Sequence, residues 1–223
     1  MTQDTWTAVD RYIADQLVSP DAALDAALES SAAAGLPAIN VSPNQGKFLH
    51  LLARIQGARS ILEIGTLGGY STIWLARALP ADGRLITLEA EPEHVMVARA
   101  NIARAGLDGI VDVRLGRALD TLPQLAAEGA GPFDLIFIDA DKPSNPDYFA
   151  WALRFARRGS VIVIDNVVRE GAVIDAASRD ESVQGVRRLN EMLAAEPRVS
   201  ATAIQTVGSK GYDGFAMALV LGV

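Results

Sequence analysis

Two hydrophobic periodicities divide the chain. Up to residue 56 the apolar positions recur at helical spacing, and beyond it short apolar runs alternate with helical stretches. Trp6, Val9, Tyr12, Ile13 and Leu17 mark a helix over residues 5–19. Pro20-Asp21 opens a second, alanine-rich helix toward residue 34, with Gly35 as its stop. The segment 36–46, LPAINVSPNQG, carries two prolines and reads as a loop, and a short helix follows over 47–56. Strands are expected over 60–65 (SILEIG), 84–90 (RLITLEA), 111–116 (VDVRLG), 133–140 (FDLIFIDA) and 160–166 (SVIVIDN). Helices are expected between them over 70–79, 92–105, 118–128 and 147–157, with another over 181–196. The runs 200–207 and 215–221 read as final strands joined by a Gly-rich turn, with no helix between them.

This alternation predicts an α/β fold: a doubly wound, mostly parallel sheet of seven strands, covered on both faces and closed by a C-terminal antiparallel hairpin. The chain shows no internal repeat and no low-complexity linker, so residues 1–223 are expected to form a single domain, with 1–56 as an N-terminal helical appendage.

Composition narrows the function classes. The formal net charge is −7, and no basic stripe is present, so neither nucleic acid nor an anionic membrane surface is expected as a partner. The chain has no cysteine, which removes disulfides, thiolate nucleophiles and cysteine-ligated metals together. That suits a cytoplasmic location. The first residues, MTQDTWTAVD, do not resemble a signal peptide. The apolar runs fall far short of the roughly 20 residues a membrane helix needs.

Ligands of open α/β sheets bind at the carboxyl ends of the strands, near the point where strand order reverses. The first strand runs into Glu63-Ile64-Gly65-Thr66-Leu67-Gly68-Gly69-Tyr70-Ser71. This turn is Gly-rich, but Leu67 stands where a dinucleotide fingerprint has its second glycine, and no Gly-Lys-Ser/Thr follows. Glu63 would repel a pyrophosphate and suits a cationic, amino-bearing ligand such as S-adenosylmethionine. Glu89 ends the next strand, where an acid can accept both ribose hydroxyls. The plainer alternative is a tight turn with two solvated acids. The combination in a strand–turn–helix context favours the adenosyl ligand.

Two further strands end in acids, at Asp139-Ala140-Asp141-Lys142 and at Asp165-Asn166. On neighbouring parallel strands, Asp139, Asp165 and Asn166 share one rim. Two carboxylates and an amide oxygen form a hard-oxygen set suited to Mg²⁺, with Mn²⁺ or Ca²⁺ as relatives. Zinc is not expected, because cysteine is absent and His50 and His94 fall on predicted helices away from this rim. Asp and Asn also cap turns at strand ends, which is the structural alternative. Beside a cation, Lys142 can take the proton of an acceptor hydroxyl, whose oxygen then attacks the sulfonium methyl in line.

From residue 39 to the C-terminus these segments resemble the cation-dependent O-methyltransferases that include the catechol and caffeoyl-CoA enzymes, especially their small bacterial members. ILEIGTLGGYST, FIDADK with VIDN, and INVSPNQGKFL carry the resemblance. It implies a Rossmann-like sheet and transfer of a methyl group from S-adenosylmethionine to a hydroxyl of a small phenolic, catechol-like acceptor. It also implies a divalent cation, Mg²⁺ before others, and a homodimer. Val41 resembles the residue that covers the cofactor's methionine end. Glu63, Gly65 and Ser71, with Thr66 in the same turn, resemble contacts to its amino-acid end. Glu89 resembles the ribose carboxylate, and Ala118 the position flanking adenine. Asp139, Asp165 and Asn166 resemble the metal ligands, with Asp139 also near the cofactor, and Lys142 the general base.

Two departures stand out. Near Lys210, shortly before Asp213-Gly214, the catechol enzymes carry an acid, and at Ala140 they carry a histidine. Acceptor specificity is expected in the loops 36–46, 166–179 and 207–214. Trp6, Tyr12 and Tyr212 are candidates to line the acceptor pocket, with packing the simpler role for the first two. Arg169 and Lys210 are candidates to meet an anionic acceptor, with a solvated loop charge the simpler role. The competing functions are an NAD-dependent oxidoreductase, a non-catalytic nucleoside-binding protein on the same sheet, and a metal-free N-methyltransferase. Glu63 speaks against the first, and retention of Asp139, Lys142, Asp165 and Asn166 speaks against the second.

Overall fold

The computed structural model describes residues 2–222. Three helices precede the sheet: α1 (Gln3–Leu17), α2 (Ala22–Ala33) and α3 (Pro43–Gln56). There follow β1 (Ser60–Ile64), α4 (Tyr70–Ala76), β2 (Arg84–Glu89), α5 (Pro92–Arg104), β3 (Val111–Leu115) and α6 (Ala118–Ala127). The chain continues through β4 (Phe133–Ile138), α7 (Asn145–Phe155), β5 (Ala156–Asp165), α8 (Glu181–Ala195), β6 (Val199–Gly208) and β7 (Gly211–Val220). The seven strands form one sheet in the order β3-β2-β1-β4-β5-β7-β6. The first five strands in that order pair in parallel, and β7 pairs antiparallel to both β5 and β6. The expected doubly wound sheet with its antiparallel hairpin is the architecture found.

Central strands buried on both faces read as unbroken apolar runs, because helices cover each side of a parallel sheet. Every residue of β4 is buried. Its Ile136 and Ile138 join Leu62, Ile64 and Phe149 in one apolar cluster. Leu135 and Phe137, with alternate direction along the same strand, join Ile61, Leu85 and Ile73 in the other. This packing fixes the register. Ile64 pairs with Leu88 on one side and with Ile138 on the other, and Ile138 pairs with Ile164. The residues that end these strands, Gly65, Glu89, Asp139 and Asp165, therefore fall along one rim.

Several boundaries depart from the periodic reading, among them the start of β5 at Ala156, inside the stretch expected to be helix. Helix α3 starts at Pro43, inside the segment expected to be loop. Ser42 caps it, its side chain accepting from the Gln45 N–H at 3.2 Å, and Pro43 occupies the first turn, where a missing N–H is harmless. Strand β7 begins at Gly211, earlier than its apolar run at 215, because a tight turn at Ser209-Lys210 keeps the hairpin paired from Gly208–Gly211 onward. Among the described residues, no helix is long and apolar enough to cross a membrane.

Helix α8 seats against the backbone that follows β4. A Cβ at Gly185 would lie 2.2 Å from the Lys142 carbonyl oxygen and 2.7 Å from Pro143 Cα. Neither backbone atom can swing away, so Gly185→Ala is expected to destabilise the protein by about 1–3 kcal/mol. The midpoint of urea denaturation measures this, and an unchanged midpoint would show that α8 is not seated in this way.

Candidate active site

A cavity of about 620 Å³ opens at the carboxyl ends of β1, β2, β4 and β5. Val41, Gly65, Thr66 and Ser71 line it on the cofactor-loop side. Glu89, Ala118, Asp139, Lys142 and Asn166 complete the wall as far as the sequence expectation goes. Glu63 and Asp165 stand behind that wall, nearly or fully buried.

Gly65 sets the geometry of the first turn. Its φ is 101°, and a Cβ there would lie 2.1 Å from the Asp139 carbonyl oxygen. Only glycine accommodates both the conformation and the approach. The Asp139 N–H donates to the Ile64 carbonyl at 2.8 Å, so the ends of β1 and β4 are joined there. Further along the turn, Asn101 of α5 donates to the Gly68 carbonyl at 2.9 Å.

Both acids of the first half hold the turn. Glu89 accepts from the backbone N–H groups of Thr66, at 3.2 Å, and Leu67, at 2.8 Å, through one oxygen. Its other oxygen accepts from the Glu91 N–H at 3.0 Å and lies 3.4 Å from His94 Nδ1. His94, placed on a helix away from the acidic rim, thus lines the same cavity at its Glu89 end. Glu63 is fully buried and accepts three hydroxyl bonds, from Ser71 at 2.7 Å, from Thr87 at 2.7 Å and from Thr72. Burial outweighs those bonds and pushes its carboxyl up to about 7. Ser71 is the member of this group that reaches the cavity.

The second half is built on the ends of β4 and β5. Lys142 Nζ donates to Asp139 Oδ1 at 2.7 Å, and both side chains are largely buried. Asp165 is 5% exposed. It accepts from its neighbour's N–H, Asn166, at 2.9 Å, and from Gln45 Nε2 at 2.6 Å. Burial, and next the negative charge of Asp139, push its carboxyl up to about 7. Asn166 holds a left-handed φ of 57°, which Asn tolerates better than most residues. Among the described residues no group of three or more His, Cys, Asp or Glu gathers as a metal cluster. The oxygen set here is two carboxylates and one amide. A buried carboxylate raised by a like charge is a place where a cation relieves repulsion, so the donor chemistry fits a hard divalent ion.

The sequence reading did not assign Gln45. It comes from the first turn of α3 and bonds a strand end far away in the chain, and its only sequence signal was membership of the SPNQG segment. Asp141 was likewise unassigned. It accepts from the Tyr148 hydroxyl, and burial and that carboxylate together push the Tyr148 phenol up. Trp6, Tyr12 and Tyr212 are not among the lining residues, and Tyr12 points largely to solvent. Lys210 is also absent from the wall: its Nζ donates to the Ala38 carbonyl at 2.9 Å and ties the hairpin tip to the loop before Val41.

The chain is similar to known proteins over nearly its whole length. A family model described as O-methyltransferase matches residues 18–219. The chain is 59% identical over 220 residues to a catechol O-methyltransferase of Niastella koreensis, covering 99% of this chain and 100% of that protein. It is 63% identical to an O-methyltransferase of Bacillus cereus crystallised in complex with SAH, with a TM-score of 0.97, covering 98% of this chain and 100% of that one. It is 55% identical to TomG of Streptomyces achromogenes, an O-methyltransferase of tomaymycin synthesis solved with SAM, with a TM-score of 0.96 and full coverage of both chains.

Glu63 makes stability depend on pH. Its carboxyl rises from the usual 4.5 to about 7 on folding, so the folded state holds the proton more tightly. That contribution is complete below pH 4.5 and is lost as pH rises toward 7. The loss is on the order of 3 kcal/mol, since one pKa unit corresponds to about 1.4 kcal/mol. Glu63→Gln is expected to flatten this slope. Urea midpoints of the ligand-free protein from pH 4.5 to 8 test it, and parallel profiles for the two proteins would refute it.

Proposed function

The chain belongs to the O-methyltransferase family, and from that premise we propose that it transfers a methyl group from S-adenosylmethionine to a hydroxyl of a small, catechol-like acceptor with the help of a divalent cation. One observation carries this reading. The Lys142–Asp139 pair, at 2.7 Å, sits beside buried Asp165 at the mouth of the Gly65 turn. A base, a hard-oxygen set and a nucleoside-sized turn thus share one cavity. The relatives named above support the cofactor and the acceptor class.

Each residue then has a task. Glu89 accepts the ribose hydroxyls while holding the turn, and Ala118 flanks adenine. Ser71, with the Glu63 carboxyl behind it, receives the α-amino group, beside Gly65 and Thr66. Val41 covers the methionine end. Asp139, Asp165 and the Asn166 amide would hold the cation, most naturally Mg²⁺. A bound cation supplies Lewis-acid polarisation of the acceptor hydroxyl. Lys142 Nζ, in its neutral form, would take the hydroxyl proton, and the walls hold the acceptor oxygen in line with the sulfonium methyl, so that positioning supplies much of the rate.

The test is methyl transfer from labelled S-adenosylmethionine to a panel of catechols, with Mg²⁺ and with EDTA. Transfer is expected to stop in EDTA and to return with Mg²⁺. Lys142→Ala is expected to lower kcat by about 10²–10⁴-fold. Transfer that persists in EDTA would remove the cation from the reaction and leave Asp139, Asp165 and Asn166 as turn residues.

We also propose a homodimer. Residues 200–207 of β6 are all exposed, although β6 is an edge strand carrying Ile204 and Val207. Helix α1, which packs against that strand, buries none of its residues and leaves Val9, Tyr12, Ile13 and Leu17 exposed. A second copy covering this face removes an otherwise sticky edge. Light scattering after size exclusion should give twice the chain mass, and Ile204→Asp should shift it toward the monomer. A monomeric wild type at micromolar concentration would refute the dimer.

A further inference from the structure

The cavity wall holds a cation that neither the methyl transfer nor the fold fully uses. Arg169 lies on the loop after Asn166 and shares the wall with Asp139, Lys142 and Asn166. Its backbone is left-handed, with φ 54°, and Glu170 at 55° and Gly171 at 89° follow. Side-chain-bearing residues adopt this region rarely, and such conformations gather at functional sites.

Neighbouring elements fix the loop in that shape. Asp213 of β7 accepts from the N–H groups of Val168, at 2.9 Å, and Arg169, at 3.0 Å, through one oxygen. On the far side, Arg187 of α8 donates to the Val173 carbonyl at 2.6 Å. The arginine is therefore presented to the cavity from a tethered backbone.

Its side chain is incompletely bonded. The nearest carboxylate oxygen, Asp213 Oδ2, lies 3.8 Å from Nη1, beyond hydrogen-bonding distance. Nε is buried and has no acceptor. A buried guanidinium N–H without an acceptor is unfavourable, and a guanidinium presents a planar fork of donors that matches a carboxylate. The other cations nearby have different situations. Lys142 is paired with Asp139, Lys210 is turned to Ala38, and Arg117 stands exposed at the start of α6, beside the Ala118 end.

We propose that Arg169 is a specificity residue that binds a carboxylate on the acceptor, and that the acceptor class is therefore an anionic catechol, a dihydroxybenzoate-like acid. This rests on the catechol reading above. Such an acid places its hydroxyls at one end of the ring, for Lys142 and the Asp139 set. It places its carboxylate toward the other end, for the Arg169 fork. The carboxylate takes no part in the bonds exchanged: the hydroxyl proton goes to the neutral amine of Lys142, the methyl passes from sulfur to oxygen, and the sulfonium becomes a thioether.

The experiment compares protocatechuate with its neutral amide as acceptors for wild type, Arg169→Gln, Arg169→Lys and, as a control, Lys210→Gln. Wild type is expected to favour the acid in kcat/KM by about tenfold or more. Arg169→Gln should raise KM for the acid by about tenfold while changing the amide by less than about threefold, with KM for S-adenosylmethionine unchanged. Arg169→Lys should retain part of the preference, and Lys210→Gln all of it. Calorimetric binding of protocatechuate to the SAH-loaded protein should be lost in Arg169→Gln. Equal losses on both acceptors would assign Arg169 to holding its loop. A raised KM for S-adenosylmethionine would assign it to the cofactor's own carboxylate. Either result overturns the inference, as does a wild type that prefers the amide. A wild type that methylates neither compound, nor neutral catechol, overturns the catechol reading and this inference with it.

Discussion

Everything in the cavity depends on one backbone crossing, where Gly65 leaves β1 within touching distance of the Asp139 carbonyl at the end of β4. The missing side chain lets the two strand ends close on each other, and the Asp139 N–H seals them to Ile64 at 2.8 Å. These strands flank the point where the sheet order reverses, so their connections run off in opposite directions and leave a crevice. Both halves of the site hang from it. The Gly-rich turn with Glu63 and Glu89 falls on one side, and Asp139, Lys142 and Asp165 fall on the other.

The site concentrates acidic groups where water is largely excluded. Glu63 and Asp165 both sit with carboxyls raised to about 7 by burial. A chain selected for stability alone would place apolar residues there. In the function proposed above, these acids face positive partners: a sulfonium and an ammonium on one side, a cation on the other. Binding such ligands relieves the strain, so the ligand-free state is the less stable one. The hydroxyls of Ser71, Thr72 and Thr87 moderate this without removing it.

Elements outside the sheet hold the loop over the cavity. Asp10 of α1 accepts from Asn44 at 2.6 Å and from the N–H and hydroxyl of Ser209 at 3.0 and 2.7 Å. These bonds, against the upward pull of partial burial, hold its carboxyl below the usual range. Lys210 adds the link to Ala38. Helix α1, the hairpin tip and the start of α3 thereby form one polar knot beneath Val41. Gln45, next to Asn44, carries that knot to Asp165.

The sequence by itself determined a good deal. Strand–helix alternation specified the sheet, because a strand covered on both faces must be apolar throughout, and β4 is. Gly65, Glu63, Glu89, Asp139, Lys142, Asp165 and Asn166 were legible because they sit at strand ends, where local patterning marks the start of a turn. Lys142 and Asp139 are three positions apart, so even their pairing is local. Tertiary structure decided the rest. The hydrogen bond from Gln45 to Asp165 spans 120 positions, and the Asp213 bond that holds Arg169 spans 44. Lys210 read as a solvated loop charge, with an anionic acceptor as the alternative, and instead closes a hairpin tip onto Ala38. Contacts of this kind depend on which strands become neighbours and how far a hairpin extends. Hydrophobic periodicity records only which face of each element is buried, so it fixes the elements and leaves their partners to the packing.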